Sequence, residues 1–381
     1  MHRFDTTAAA ERIQTVFAEI LADPSDVGDG GAAVAIWQKD RCILSLHGGQ
    51  SFPGNPWNDQ TSSLIWSASK GVAAACTLHA LQEKRVSLET PVATLWPEFA
   101  VSGKEQTSLA QLLSHRAGLA AIDQQGLSIV DHNSVVAALA AQPPNWKLET
   151  NEGRTHGYGA RTFGFILDEI IRRLSGETLH SYWNRVIRGP MAFDIWFGLP
   201  ESKLAQAATI IPPKASPKPS DFSRAFANPT SLTRRALSEP GGFLSATLMN
   251  TPAMRMASIP SLGVIATADS LARFYAMLSC SSGLFTQHSL SKMQGTLSSG
   301  LDLTLLEQTS FSAGFMTNKT GVYGPSRLSF GHPGAGGSLA FADPQHDIGF
   351  AFIPSAMHPG ALPGLRTRKL VQALYGINQE A

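Results

Sequence analysis

The chain has 381 residues, 43% hydrophobic and 15% charged, with a formal net charge of +1 at neutral pH. That length supports a large core in one domain or two interleaved ones, and the near-balanced charge excludes the polyelectrolyte footprint of a nucleic-acid binder. The three cysteines, Cys42, Cys76 and Cys280, are too few and too widely spaced for a disulfide framework and read as reduced packing residues; no run has zinc-ligand spacing, so neither metal nor cofactor is expected.

From Met1 to Ile20 the chain carries Arg3, Asp5, Glu11, Arg12 and Glu19. That is an amphipathic pattern, without the apolar core of a secretory signal. No stretch approaches 18 uninterrupted apolar residues, so no membrane span is expected and the protein reads as cytoplasmic. Ile13, Val16, Phe17, Ile20 and Leu21 fall at helical spacing and predict a helix over 8–22. Ala32 to Trp37 and Ile43 to His47 are β-rich runs joined by Gln38 to Arg41, the pattern of a hairpin. Gly48 to Ser63 reads as a loop.

That loop leads to Trp66-Ser67-Ala68-Ser69-Lys70-Gly71, before the apolar run Val72 to Leu78. Ser67 and Lys70 stand at i and i+3, on one face of a predicted buried helix. A serine hydroxyl becomes a nucleophile when a base takes its proton. A lysine acts as that base when burial or nearby positive charge lowers its pKa. The spacing recurs by chance in long chains, so it gains force only beside other polar segments of matching chemistry. Ser69 has Lys70 at i+1 and points elsewhere on the helix.

The middle of the chain is mainly helical in pattern. Thr107 to Leu119 reads as a short helix with a glycine stop at Gly118, and Arg161 to Ser175 as a helix with Phe165, Ile166, Ile170, Ile171 and Leu174 on its apolar side. Ile211 to Ser220 is too proline-rich for a helix or central strand and reads as a surface loop. Ala268 to Leu278 is helical again. Strand patterns then return over Ser310 to Phe315, Arg327 to Phe330, Ser338 to Phe341 and Ile348 to Ile353, before a closing helix over Leu365 to Leu374. The order predicts an α/β (α+β) fold, an antiparallel sheet flanked by helices with an all-helical insertion. Residues 1–66 and 261–381 would form the α/β domain and 67–260 the mainly helical one, with the binding cleft between them.

Two further polar segments stand out. Tyr158 is bounded by Gly157 and Gly159 just before a helix, in a loop able to bring a phenol to a cleft. Near two positive charges such a phenol would have a lowered pKa and could relay a proton; a structural tyrosine capping the helix is the plainer alternative. Gly331-His332-Pro333-Gly334-Ala335-Gly336-Gly337-Ser338 opens a strand and would let a substrate approach backbone N–H donors closely, or simply turn a hairpin.

These segments, in this order with Leu112 to Leu119 and Ile259-Pro260-Ser261, resemble the serine β-lactamase-like superfamily, and among its members the family VIII carboxylesterases related to class C β-lactamases. The resemblance spans nearly the whole chain. It implies Ser67 as nucleophile, Lys70 as its proton partner, and Tyr158, at the tyrosine of the Y-x-N element, as general base and then general acid. It implies that His332-Pro333-Gly334 replaces the K-T-G element, so that His332, Gly334 and Ala160 would border the substrate. The oxyanion hole would be the backbone N–H groups of Ser67 and Ala335, although the glycine-rich register allows a shift of one or two residues. His115 reads as structural, packed against the nucleophile helix. Two departures bear on substrate. Ala160 stands where the Y-x-N amide would be, and His332 where the K-T-G lysine would hold an acidic substrate's carboxylate.

The expectation is a serine carboxylesterase acting on a small, mostly neutral ester through an acyl-enzyme. An acyltransferase, a β-lactamase or D-Ala-D-Ala peptidase, and a penicillin-recognition protein without turnover are the alternatives. No G-x-S-x-G is present to offer an α/β-hydrolase nucleophile elbow.

Overall fold

The computed structural model describes residues 4–23, 25–148, 155–213, 219–242, 245–281, 283–360 and 362–377. Helix α1 (Thr6–Ala22) starts where the Asp5 carboxylate accepts hydrogen bonds from the Thr7 and Ala8 N–H groups. The hairpin β1 (Gly31–Gln38) and β2 (Arg41–Phe52) comes next, then the short strands β3 (Asn55–Pro56) and β4 (Ser63–Leu64). Gly48 to Ser63 is therefore not one loop: β2 carries on to Phe52 because its Gly48 and Gly49 still pair with β1.

Helix α2 (Ser69–Glu83) is preceded by a 3₁₀ turn over Trp66–Ala68. Helix α3 (Thr162–Ser175) ends at Gly176 in the left-handed conformation (φ 77°). Then come β5 (Ile195–Phe197), β6 (Val264–Ala266) and α4 (Ala268–Ser279). Strands β7 (Ser298–Leu301), β8 (Gln308–Phe311), β9 (Met316–Thr317), β10 (Phe330–Pro333), β11 (Leu339–Asp343) and β12 (Ile348–Pro354) lead to the closing helix α5 (Leu365–Tyr375).

Nine strands form one antiparallel sheet in the order β3-β2-β1-β12-β11-β10-β9-β8-β7, so both ends of the chain build it. Strand β1 reads Gly-Ala-Ala-Val-Ala-Ile, nearly continuous in apolar character because both of its faces are covered. Ala32, Val34 and Ile36 face α1 and α5 with Phe341, Phe350 and Phe352. Ala33 and Ala35 face the other way, with Ala340, Ala342 and Ala351, toward α4 and α2. Small residues there let α4 lie close. A Cβ on Gly349 would come within 2.0 Å of the Ala272 carbonyl oxygen, which is why glycine is required.

Several boundaries differ from the sequence reading. The helix expected over Thr107 to Leu119 spans Leu109–Leu113, because His115 takes a left-handed φ of 60° before Gly118 is reached. The run Ser310 to Phe315 breaks into β8 and β9 at a turn containing Gly314 (φ 92°). The strand expected over Arg327 to Phe330 begins only at Phe330. Of the proline-rich segment, Ile211 bridges to Ala356, while residues 214–218 lie outside the described residues. All three cysteines are free, yet Cys42 is exposed and so is not a packing residue. Among the described residues no helix is long and apolar enough to cross a membrane.

Candidate active site

Ser67 sits in the 3₁₀ turn that feeds α2, half-buried, with Trp66 before it in the left-handed region (φ 51°). A bulky residue there costs roughly 1–3 kcal/mol and persists only where its surroundings enforce it. Ser69 is fully buried, and its Oγ accepts a hydrogen bond from the Val264 N–H at 3.1 Å. It joins the nucleophile helix to β6 and does not line the cavity beside Ser67.

Lys70 is fully buried, one turn into the same structure. Its Nζ lies 3.4 Å from Ser67 Oγ, 2.7 Å from the Ala160 carbonyl oxygen and 3.0 Å from that of Ser261. Burial, aided by the charge of Arg161, holds its pKa well below the ordinary lysine value. A neutral amine has two N–H donors and one lone pair. In that form the two carbonyls would take the donors, leaving the lone pair for the Ser67 hydroxyl. Ser261 fixes this clamp, because its own Oγ donates to the Arg161 carbonyl at 2.9 Å and accepts from the Gly164 N–H at the start of α3.

Tyr158 is brought to the same place by contacts distant in sequence. Its backbone N–H donates to Asp302 Oδ1 at 3.1 Å, and the buried Asp302 carboxylate also accepts from the Thr304 and Leu305 N–H groups and the Thr309 hydroxyl. The flanking glycines are held by His115, whose carbonyl accepts from Gly157 and whose Nδ1 accepts from Gly159. His115 is thus structural as expected, but its rings of contact are Tyr158, Phe163 and Phe311, at 4.3–5.3 Å between centroids. The phenol oxygen of Tyr158 is buried, and the polar group beside it is the Ser67 hydroxyl. Its pKa is raised, against the expectation of a lowered one. Burial pushes it up, the neighbouring Ser67 hydroxyl opposes this weakly, and Asp302 adds to the rise. Burial of the phenol decides the direction, and no positive charge acts strongly enough on it to reverse the rise.

His332 is on β10, 2% exposed, with its ring centre 5.7 Å from that of Tyr158. Burial and Lys70 push its pKa down to about 3. Gly334 does not line the cavity. A Cβ there would meet Ser338 Oγ at 2.1 Å and the Ile65 carbonyl oxygen at 2.2 Å, so the missing side chain lets the turn after β10 press against the segment entering Ser67. Ala335 does line the cavity, and neither its N–H nor that of Ser67 has a hydrogen-bond partner among the described residues.

The cavity holds about 160 Å³ and joins Ser67, Tyr158, Ala160, His332 and Ala335 to Trp66, Arg161 and the apolar side chains of Leu237, Leu262, Leu305, Met316 and Leu362. Sequence reasoning missed Arg161, although it stands directly after the tyrosine motif. Its guanidinium is buried and donates to the Leu237 and Pro240 carbonyls at 2.7 and 2.6 Å, and that burial lowers its pKa to about 10. Asp302 carried no local signal. Among the described residues no cluster could hold a metal ion.

The arrangement matches known proteins over most of its length. The Beta-lactamase family model matches residues 17–374. The esterase/beta-lactamase LipL of Mycobacterium tuberculosis is 27% identical over 348 residues, covering 85% of this chain and 76% of LipL. A penicillin-binding protein homologue from Caulobacter crescentus superposes with a TM-score of 0.86 at 30% identity, covering 97% of this chain and 98% of that one. A family VIII carboxylesterase structure gives a TM-score of 0.85 at 26% identity with the same coverage.

Proposed function

The chain belongs to the beta-lactamase family, a hydrolase of that fold, and from that premise we propose that it is a serine carboxylesterase acting on small, mostly neutral esters through an acyl-enzyme on Ser67. The observation that carries this reading is the state of Lys70. The Ala160 and Ser261 carbonyls hold its Nζ 3.4 Å from Ser67 Oγ, and burial lowers its pKa, the condition for an amine that takes the serine proton.

In the first step the Lys70 lone pair takes the Ser67 proton as Oγ attacks the ester carbonyl carbon. The negative charge passing to the carbonyl oxygen would be met by the N–H groups of Ser67 and Ala335. Tyr158 enters as a protonated phenol, so its part is to pass a proton to the departing alkoxide. The proton held on Lys70 then returns to the phenolate directly, because Ser67 Oγ is now the ester oxygen and carries no hydrogen. Water attacks the acyl-enzyme carbonyl and gives its proton to the Lys70 lone pair; the tetrahedral intermediate then collapses, Ser67 Oγ leaves and takes that proton back, and the acid departs.

The choice of an ester rests on what borders the cavity. Ala160 has no amide to offer a β-lactam, and it serves through its carbonyl, which holds Lys70. His332 is uncharged, so a substrate carboxylate has no lysine-like partner there. The apolar wall and the small volume favour short neutral groups. The relative named esterase/beta-lactamase makes β-lactam turnover the second reading.

The test compares kcat/KM for p-nitrophenyl acetate and butyrate with that for nitrocefin. Much faster ester hydrolysis is expected. Nitrocefin turnover matching the best ester would overturn the esterase reading in favour of the β-lactamase one.

A further inference from the structure

The ester reading leaves one buried polar atom in the cavity wall without work, the Nε2 of His332. Its tautomer is set by its neighbours. Nδ1 lies 2.7 Å from the Pro333 carbonyl oxygen, which can only accept, so Nδ1 carries the hydrogen. The ring is neutral, since its burial outweighs the pull of that carbonyl. A neutral ring with its hydrogen on Nδ1 presents a bare lone pair at Nε2. That atom is buried and has no hydrogen-bond partner, in a residue that is 2% exposed and lines the cavity with Ser67. Buried acceptors left unpaired are costly, and the natural remedy at a cavity wall is a donor on the ligand.

We propose that His332 makes the site selective for esters carrying a hydroxyl near the ester group, the O–H donating to Nε2. The polarity is opposite to that of a lysine at this position. A lysine would attract a carboxylate, whereas a lone pair repels one and pairs with a neutral O–H. The other polar groups of the wall do not duplicate this role. Arg161 can only donate, Tyr158 is held as O–H, and Ser67 is the group that reacts. The ring lies against that of Tyr158, so the substrate hydroxyl would sit within a few bonds of the reacting carbonyl.

This inference rests on the esterase reading and refines its substrate class. Two matched sets test it. On the acyl side, p-nitrophenyl 3-hydroxybutyrate is compared with p-nitrophenyl butyrate and with the p-nitrophenyl half-ester of succinic acid. On the alcohol side, 2-hydroxyethyl butyrate is compared with propyl butyrate. In at least one set the hydroxylated ester should have roughly tenfold or greater kcat/KM over its plain partner, and the half-ester should be the poorest substrate of the first set. The ratio should fall to about one in His332→Leu and in His332→Met, and persist in His332→Gln, whose amide oxygen can accept.

Plain esters turned over as well as hydroxylated ones in both sets would overturn this inference and leave the esterase reading intact. So would a preference that survives in the folded Leu or Met variant. Failure of every ester, with no acylation of Ser67, would overturn the esterase reading and this one with it.

Discussion

Lys70 Nζ lies 4.7 Å above the centre of the Tyr158 ring, not against its hydroxyl. The two residues therefore touch face to side chain, and the polar neighbour of the phenol oxygen is Ser67. Ser67 Oγ, 3.4 Å from Nζ, is the polar atom between their two roles. On the proposed mechanism the first proton passes from serine to lysine, and Tyr158 acts later.

That arrangement predicts opposite effects on stability and turnover for Tyr158→Phe. The lost hydroxyl is costly to bury and meets the serine of the site rather than a group that holds the fold, so thermal stability should hold or rise, by up to about 1–2 kcal/mol. The kcat for ester hydrolysis should fall by roughly 10²-fold or more. A melting curve and steady-state kinetics on one preparation check both. A clear loss of stability would mean that the phenol has a structural partner.

The pH profile is governed by the same shifts. Protonated Lys70 has no lone pair, so activity is absent below its depressed pKa and rises as pH passes upward through it. Tyr158 is needed as O–H and its pKa lies above the usual 10.0, so no falling limb should appear before about pH 10. His332 and His115 are both pushed down into the neutral form and should add no limb of their own near the usual histidine value of 6.5. A kcat/KM profile that falls between about pH 7 and about pH 9 would contradict this ordering.

The two serines of the motif should separate cleanly. Ser69→Ala leaves the buried Val264 N–H without its acceptor and should cost about 1–3 kcal/mol of stability, while a fluorophosphonate probe still labels the protein. Ser67→Ala should abolish labelling. Labelling lost in folded Ser69→Ala would mean that the nucleophile is misassigned.

Cavity size sets a limit on the acyl group. A space of about 160 Å³ is comparable to one that holds a single benzene-sized molecule. Hydrolysis of p-nitrophenyl esters should thus be best for short chains and fall well before octanoate. A rate that climbs steadily to long chains would show that the acyl group lies outside this cavity.

How far the sequence could be read depended on the range of each contact. Ser67 and Lys70 were legible because helical spacing alone puts them on one face, and Tyr158 because flanking glycines marked a loop at a helix start. The strands of both chain ends were visible as apolar runs, but β7, with Ser298, Ser299 and Gly300, offered no such run. What holds Tyr158 was not legible, since Asp302 is 144 residues away and its hydrogen bond from the Tyr158 N–H forms only in the fold. The direction of the Tyr158 shift was misjudged for a related reason. Charge can be counted in a sequence, whereas the burial that raises the phenol's pKa cannot.

A covalent acyl-enzyme on Ser67 is the central claim, and intact-protein mass spectrometry after rapid mixing with p-nitrophenyl butyrate tests it most directly. The expected result is a butyryl adduct, mapped by proteolysis to the peptide containing Ser67, that decays as product forms and is absent in Ser67→Ala. Ester hydrolysis at full rate with the adduct on another residue, or persisting in Ser67→Ala, would contradict it.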